Sequence, residues 1–198
     1  MRVIAGRCKG RSLTAPPGLE TRPILDRVKV SLFDWLGARL AMPGSLPAVA
    51  VLDLFCGGGS LGIEALSRGA SHCTFVERDR AALKCLRQNL ARLGLDAEAT
   101  VIAGAAETLI AAPPDGCGFD IVFIDPPYAL SEDAAGMASI VARLGRQISV
   151  AADAVILWRH DAATKISEQL PGGWHSSPLR VWGTMALTQL TRLEREQP

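Results

Sequence analysis

VLDLFCGGGSLG, residues 51–62, runs from an apolar stretch into three consecutive glycines and out into SLGIEALSRG, residues 60–69, whose apolar positions have helical spacing. Strand, glycine turn, helix is the order in which a parallel sheet presents a ligand loop. Gly57-x-Gly59-x-x-Gly62 lies within it, and Glu77 ends the next apolar run, HCTFVE, 77 − 57 = 20 residues after the first glycine. The glycines let backbone approach a ligand closely, and an acid at that distance accepts hydrogen bonds from ribose hydroxyls.

That spacing alone fits an NAD-dependent oxidoreductase. Asp53, just before the glycines, turns the reading away from it, because a carboxylate there repels a pyrophosphate and favours a ligand with a cationic end. S-adenosylmethionine has such an end and carries a ribose without a phosphate. Glu77 would hold the ribose and Asp53 would face the methionine end through loop backbone or water. The alternative for Asp53 is a helix or turn cap.

Working outward, apolar runs alternate with helical patterns. VAVLDLF, HCTFVE, ATVIAG, FDIVFID and DAVILWRH read as five strands. Helices are expected after the glycine loop, from Asp79 to about Leu93, briefly over 105–111, and over 134–144. The strands show almost no polar alternation, as in parallel strands covered by helices on both faces. PLRVWG and MALTQLTRL, separated by Gly183 and Thr184, predict an antiparallel hairpin at the sheet edge. The fold expected is a doubly wound α/β sheet of five parallel strands closed by that hairpin. At the other end RVIAG and RSLTA read as a small hairpin or arm, followed by an amphipathic helix with apolar residues at 24, 25, 28, 32, 35, 36 and 40 and with Arg27, Lys29 and Asp34 off the stripe. The whole is one domain: 1–42 as arm and helix, 43–198 as core.

The fourth run ends in DPPY, residues 125–128. Ligands sit beyond the carboxyl ends of strands in such a sheet, so this motif opens onto the same crevice as the glycines. Methylating an exocyclic base amine requires acceptors for its N–H groups, because its lone pair is delocalised into the ring. Asp125 can accept one N–H. A carbonyl in the proline segment, that of Pro126, can accept the other, held at a set angle by the fixed φ of Pro126 and Pro127. Tyr128 offers a flat face to a base taken out of its stack, worth about 1–3 kcal/mol. For an arbitrary strand end the competing reading is a capped turn.

Composition limits the alternatives. No apolar stretch reaches the roughly 20 residues of a membrane span, and the basic start MRVIAGRCKGRSL lacks the features of a secretory signal and is expected to be mature chain. Five cysteines, none in a metal-binding spacing, fit free thiols in a reducing cytoplasm and no metal. His72, His160 and His175 are isolated and read as packing or surface. Trp158 and Arg159 at the end of the fifth strand read first as packing, with a place beside the base pocket as the alternative. The net charge of +1 is uneven. Residues 1–40 hold eight Lys/Arg and three Asp/Glu, hence +5, leaving −4 elsewhere. The basic end is either a nucleic-acid face or an ordinary solvated surface.

RVIAGRCKGRSL, TRPILDRVKVSLFDWL, VLDLFCGGGSLGIEALSRGA, FVERD and FIDPPY together resemble the RsmD-type bacterial 16S rRNA guanine-N2 methyltransferases, Rossmann-like class I S-adenosylmethionine-dependent enzymes, over nearly the whole chain. The resemblance implies that Asp125, Pro126, Pro127 and Tyr128 form the acceptor-amine site. It implies a cofactor site drawn from Asp53, Phe55, Gly57, Gly59, Glu77, Arg78, Ala105 and Ala106. It also implies that Arg2, Arg7, Lys9, Arg11, Arg22 and Arg27 hold small-subunit rRNA, within a ribosomal particle, and that Pro23 and Asp26 shape the mouth of the site. Ala105, in GAAETL, stands where the family places an acid beside the cofactor adenine, so a backbone amide or Glu107 must serve. Ile24 and Leu25 replace small hydroxyl residues, and Cys56 with Gly58 loosens the loop. The rival readings are methylation of adenine N6 or of a protein glutamine, the oxidoreductase, and a non-catalytic rRNA-binding assembly factor.

Overall fold

The structure, a computed structural model, describes residues 1–16, 24–127, 130 and 133–192. Tyr128, Arg22 and Pro23 therefore lie outside the described residues. Among the described residues four helices, α1 (Asp26–Arg39), α2 (Ser60–Arg68), α3 (Arg80–Leu93) and α4 (Ala134–Arg143), flank one sheet. Its strands are β1 (Ala50–Leu54), β2 (His72–Glu77), β3 (Ala99–Ala103), β4 (Phe119–Ile124), β5 (Val150–Asp161), β6 (Gln169–Leu170), β7 (Trp174–Trp182) and β8 (Met185–Arg192), in the order β3-β2-β1-β4-β5-β8-β7-β6. The first five are parallel, and β8 runs antiparallel between β5 and β7.

Two-residue periodicity sends successive strand side chains to opposite faces, and both faces are apolar. Val51, Phe75, Ile121, Phe123 and Leu157 pack with α1, α2 and α3. Leu52, Leu54, Val122, Ile124 and Ile156 pack with α4 on the other side. The doubly covered sheet explains the missing polar alternation. The turn at Gly183 and Thr184 joins β7 to β8 as expected, with the outer strand beginning earlier, at Trp174, and the short β6 added beyond it.

Two expectations change. Over 105–111 only a single 3-10 turn forms, Ala106–Thr108. Ala111 instead gives its N–H to Gln147 and its carbonyl to the Ser149 N–H, so the loop before β5 claims backbone that a helix would need. In α1, Lys29 lies on the buried face with Val28, Leu32, Phe33 and Leu36, not off the stripe. Its ammonium lies 3.4 Å from Glu64 of α2 and donates to the Arg2 carbonyl at 2.7 Å. Glu64 also accepts from Arg68 Nε at 2.9 Å and from the N–H groups of Ile4 and Ala5.

This buried carboxylate, flanked by two cations, fastens the arm. The arm is a short antiparallel turn bridged at Arg2 and Ser12. It lies so close to α2 that a Cβ at Gly6 would stand 1.8 Å from the Ser67 carbonyl oxygen. Asn89 of α3 grips its far end, accepting from Thr14 N–H and donating to the Thr14 carbonyl.

Candidate active site

Strand register brings the chemistry to one edge. Leu54 is level with Val76 and Ile124, and Ile124 with Trp158. The next residues, Phe55, Glu77, Asp125 and Arg159, therefore lie in a row across the sheet. They line a cleft of about 420 Å³, with Asp53, Gly57, Gly58, Arg78, Asp79, Pro126 and Pro127 on its walls and Met1, Ala15 and Pro16 of the arm at its rim.

The glycine loop is held from within. Cys56 N–H donates to Val76, Gly59 N–H to Cys56, Gly57 N–H to Glu77 Oε2 at 3.0 Å, and Gly62 N–H to Asp53 Oδ2 at 2.8 Å. Amides that would cradle a pyrophosphate are thus taken by protein acceptors, two of them carboxylates. Glu77 Oε1 accepts from the N–H groups of Arg78 and Asp79, both at 2.8 Å. A carboxylate has about four lone-pair sites, so Glu77 is fixed in place and still able to accept from a hydroxyl. Phe55 adopts φ +60, a conformation uncommon for an aromatic residue, at the bend where the loop leaves β1.

Carboxylates dominate the electrostatics. Burial pushes the Asp53 carboxyl up to about 8, against the opposing pull of the Gly62 amide, and Asp125 and Glu77 raise it further. Burial likewise raises Asp125, while Arg159 pulls it back down. The Cys56 thiol lies well above its ordinary value, first through burial and then through Asp53 and Glu77, so it is no thiolate nucleophile. The proline segment divides its acceptors. The Pro127 carbonyl accepts from Leu130 N–H at 2.9 Å, and that of Pro126 has no partner among the described residues.

Of the candidate residues named from sequence, Asp53, Phe55, Gly57, Glu77, Arg78, Asp125, Pro126 and Pro127 line the cleft. Gly59, Ala105 and Ala106 do not. Gly59, at φ +86, turns the chain into α2, and a Cβ there would meet Leu86 Cδ1 at 2.5 Å. Ala106 is buried in the core against α4. Asp53 also fulfils the alternative read for it, tying the first turn of α2 to β1.

Most of the basic arm has internal partners. Arg2 pairs with Asp26, Arg7 with Glu98, and Arg11 donates to the Arg92 carbonyl; these three, like Lys9 and Arg27, are solvent-exposed. Arg159, read first as packing, points into the cleft and pairs with Asp125. Its signal in the sequence was its place one residue beyond Trp158, as Asp125 is one beyond Ile124. His160 lines the cleft too, held by Thr188 Oγ1 and the Asp161 carbonyl, both at 2.8 Å. Trp158 is core. Among the described residues no cluster of potential metal ligands occurs, and no helix is long and apolar enough to cross a membrane.

Comparison with known proteins agrees with the geometry. The family described as Conserved hypothetical protein 95 matches residues 1–190. YlbH of Bacillus subtilis is 39% identical over 169 residues, 85% of this chain and 86% of the relative. Ribosomal RNA small subunit methyltransferase D of Haemophilus influenzae is 41% identical over 129 residues, 65% of this chain and 64% of that protein. The solved structure of yhhF from Escherichia coli superposes with a TM-score of 0.79 at 32% identity, covering 98% of this chain and 99% of that one. The fold, the glycine loop and the extent of these matches lead to one assignment: the chain belongs to the RsmD-type methyltransferase family.

Proposed function

We propose that the protein transfers a methyl group from S-adenosylmethionine to the exocyclic N2 amine of a guanine in small-subunit rRNA. The observation that carries this reading is the single cleft onto which the glycine loop, Glu77, Asp125 and the proline segment all open. S-adenosylmethionine supplies the methyl group: the amine nitrogen forms the new N–C bond as the C–S bond breaks, and an amine proton is released to solvent. The fit to that donor rests on the acidic walls and on loop amides already engaged by Asp53 and Glu77. Glu77 holds the ribose hydroxyls. Asp53, behind the loop, faces the cationic end through the loop backbone that it holds.

Asp125 and the Pro126 carbonyl accept the two amine N–H groups, directing the lone pair toward the methyl carbon. The prolines restrict the backbone that carries this carbonyl. Tyr128 stacks on the extruded base. Lys9 and Arg27, with Arg2, Arg7, Arg11 and Arg22, contact rRNA phosphates. Because three of these cations are engaged internally, the substrate is a ribosomal particle whose shape adds contacts beyond charge, and the enzyme acts in the cytoplasm.

The test is transfer of labelled methyl to small-subunit particles lacking the modification, wild type beside Asp125→Ala, followed by nucleoside analysis. Labelled N2-methylguanosine that drops at least about a hundredfold in the variant supports the proposal. Label on adenine or on protein would overturn the substrate assignment, and full activity in the variant would overturn the role of Asp125.

A further inference from the structure

Asp125 has a charged neighbour on the adjacent strand. The level pair Ile124 and Trp158 puts Asp125 and Arg159 side by side, and Arg159 Nε donates to Asp125 Oδ1. Their side chains are 17% and 16% exposed. The contact uses one nitrogen and one oxygen. The other arm of the guanidinium turns away, with Nη1 3.9 Å from Met185 Sδ at the start of β8. Among the described residues no donor reaches Asp125 Oδ2, which is left for a different one. The hairpin thus backs Arg159, since β8 pairs with β5 from Ile156 to Asp161.

The pairing answers an electrostatic problem. The charged and titratable groups of the cleft around Asp125 are Asp53 from β1, Glu77, Arg78 and Asp79 from the end of β2, Arg159 and His160 from β5, and the amino end at Met1. Three carboxyl groups stand against three cations around it, and burial disfavours its charged form. A protonated Asp125 would offer a donor where an amine N–H needs an acceptor.

We propose that Arg159 is a positioning residue for the methyl-acceptor amine, holding Asp125 ionised through Oδ1 so that Oδ2 faces the amine, and remaining paired through turnover. This rests on the reading of Asp125 as the amine acceptor. Arg159 touches neither the methyl group nor the amine; it acts on the carboxylate that does.

The measurement is the pH dependence of methyl transfer to small-subunit particles, from about pH 5 to about pH 9, for wild type, Arg159→Met, Arg159→Lys and Asp125→Ala. In Arg159→Met the acid limb of kcat moves up by about one unit or more, and the rate near neutrality falls about tenfold or more. KM for S-adenosylmethionine stays within about twofold of wild type, a change far below one pKa unit. Arg159→Lys keeps a cation and restores much of the limb. Should the Met variant fail to fold, Arg159→Gln, which keeps a donor without the charge, takes its place with the same expectation. An unmoved acid limb with only a lower melting temperature would make Arg159 a packing residue and overturn the proposal. If Asp125→Ala retains wild-type turnover, the underlying role of Asp125 fails instead; an inactive Asp125→Ala beside an unmoved limb in Arg159→Met isolates the failure to Arg159.

Discussion

Asp53 shows how much one side chain carries. Its carboxyl group is 1% exposed and holds the Gly62 amide, so it closes the first turn of α2 onto β1. Its folded-state pKa, raised from 3.8 to about 8, means that the folded chain keeps a proton which the unfolded chain has lost. The stability tied to that proton is complete below about pH 4 and disappears as pH rises through about 8. Asp53→Asn keeps an acceptor for Gly62 and removes the titration. Without cofactor, wild type is expected to lose several degrees of melting temperature relative to Asp53→Asn between about pH 5 and about pH 9. A pH-independent difference between the two in thermal denaturation would contradict this. Of the two readings the sequence offered for Asp53, the geometry bears out the cap, because the strand exit lies beneath the helix that follows it.

Among the elements, the strand–loop–helix unit was the most legible. Gly62 illustrates why: a Cβ there would stand 2.3 Å from Phe75 Cε1 and 2.6 Å from Cys73 Sγ. The third glycine is required by helix-on-strand packing, not by ligand contact. Gly62→Ala is expected to cost about 1–3 kcal/mol, read as a lower urea midpoint at unchanged slope. The 105–111 segment was the least legible element. Its composition allows a helix, and what prevents one is a pair of backbone bonds to residues 147 and 149, some forty positions away in sequence.

Across the whole molecule, the Lys29–Glu64–Arg68 cluster joins arm, α1 and α2. Burial draws the Lys29 ammonium below its ordinary value, and Glu64 opposes that shift. Glu64→Gln would strand two buried cations and lose a partner for the Ile4 or Ala5 amide, at a cost of about 3–5 kcal/mol. Thermal or urea unfolding checks the magnitude, and faster hydrogen exchange at Ile4 and Ala5 checks that the arm loosens first. Unchanged exchange there would show that other contacts hold the arm.

The sequence by itself determined the order of strands and helices, the glycine loop with its distant acid, and the Asp125–Pro127 strand exit, because each depends on residues near one another in the chain and on periods set by backbone geometry. Tertiary structure decided what the charges do. Lys29 looked like a solvated helix residue until α2 brought Glu64 to it, and Arg2, Arg7 and Arg11 looked free until Asp26, Glu98 and the Arg92 carbonyl took them up. Arg159 became the partner of Asp125 only through the β4–β5 register. A charge is defined by its nearest counter-charge and by its access to water, and both are set by which distant segments the fold packs beside it.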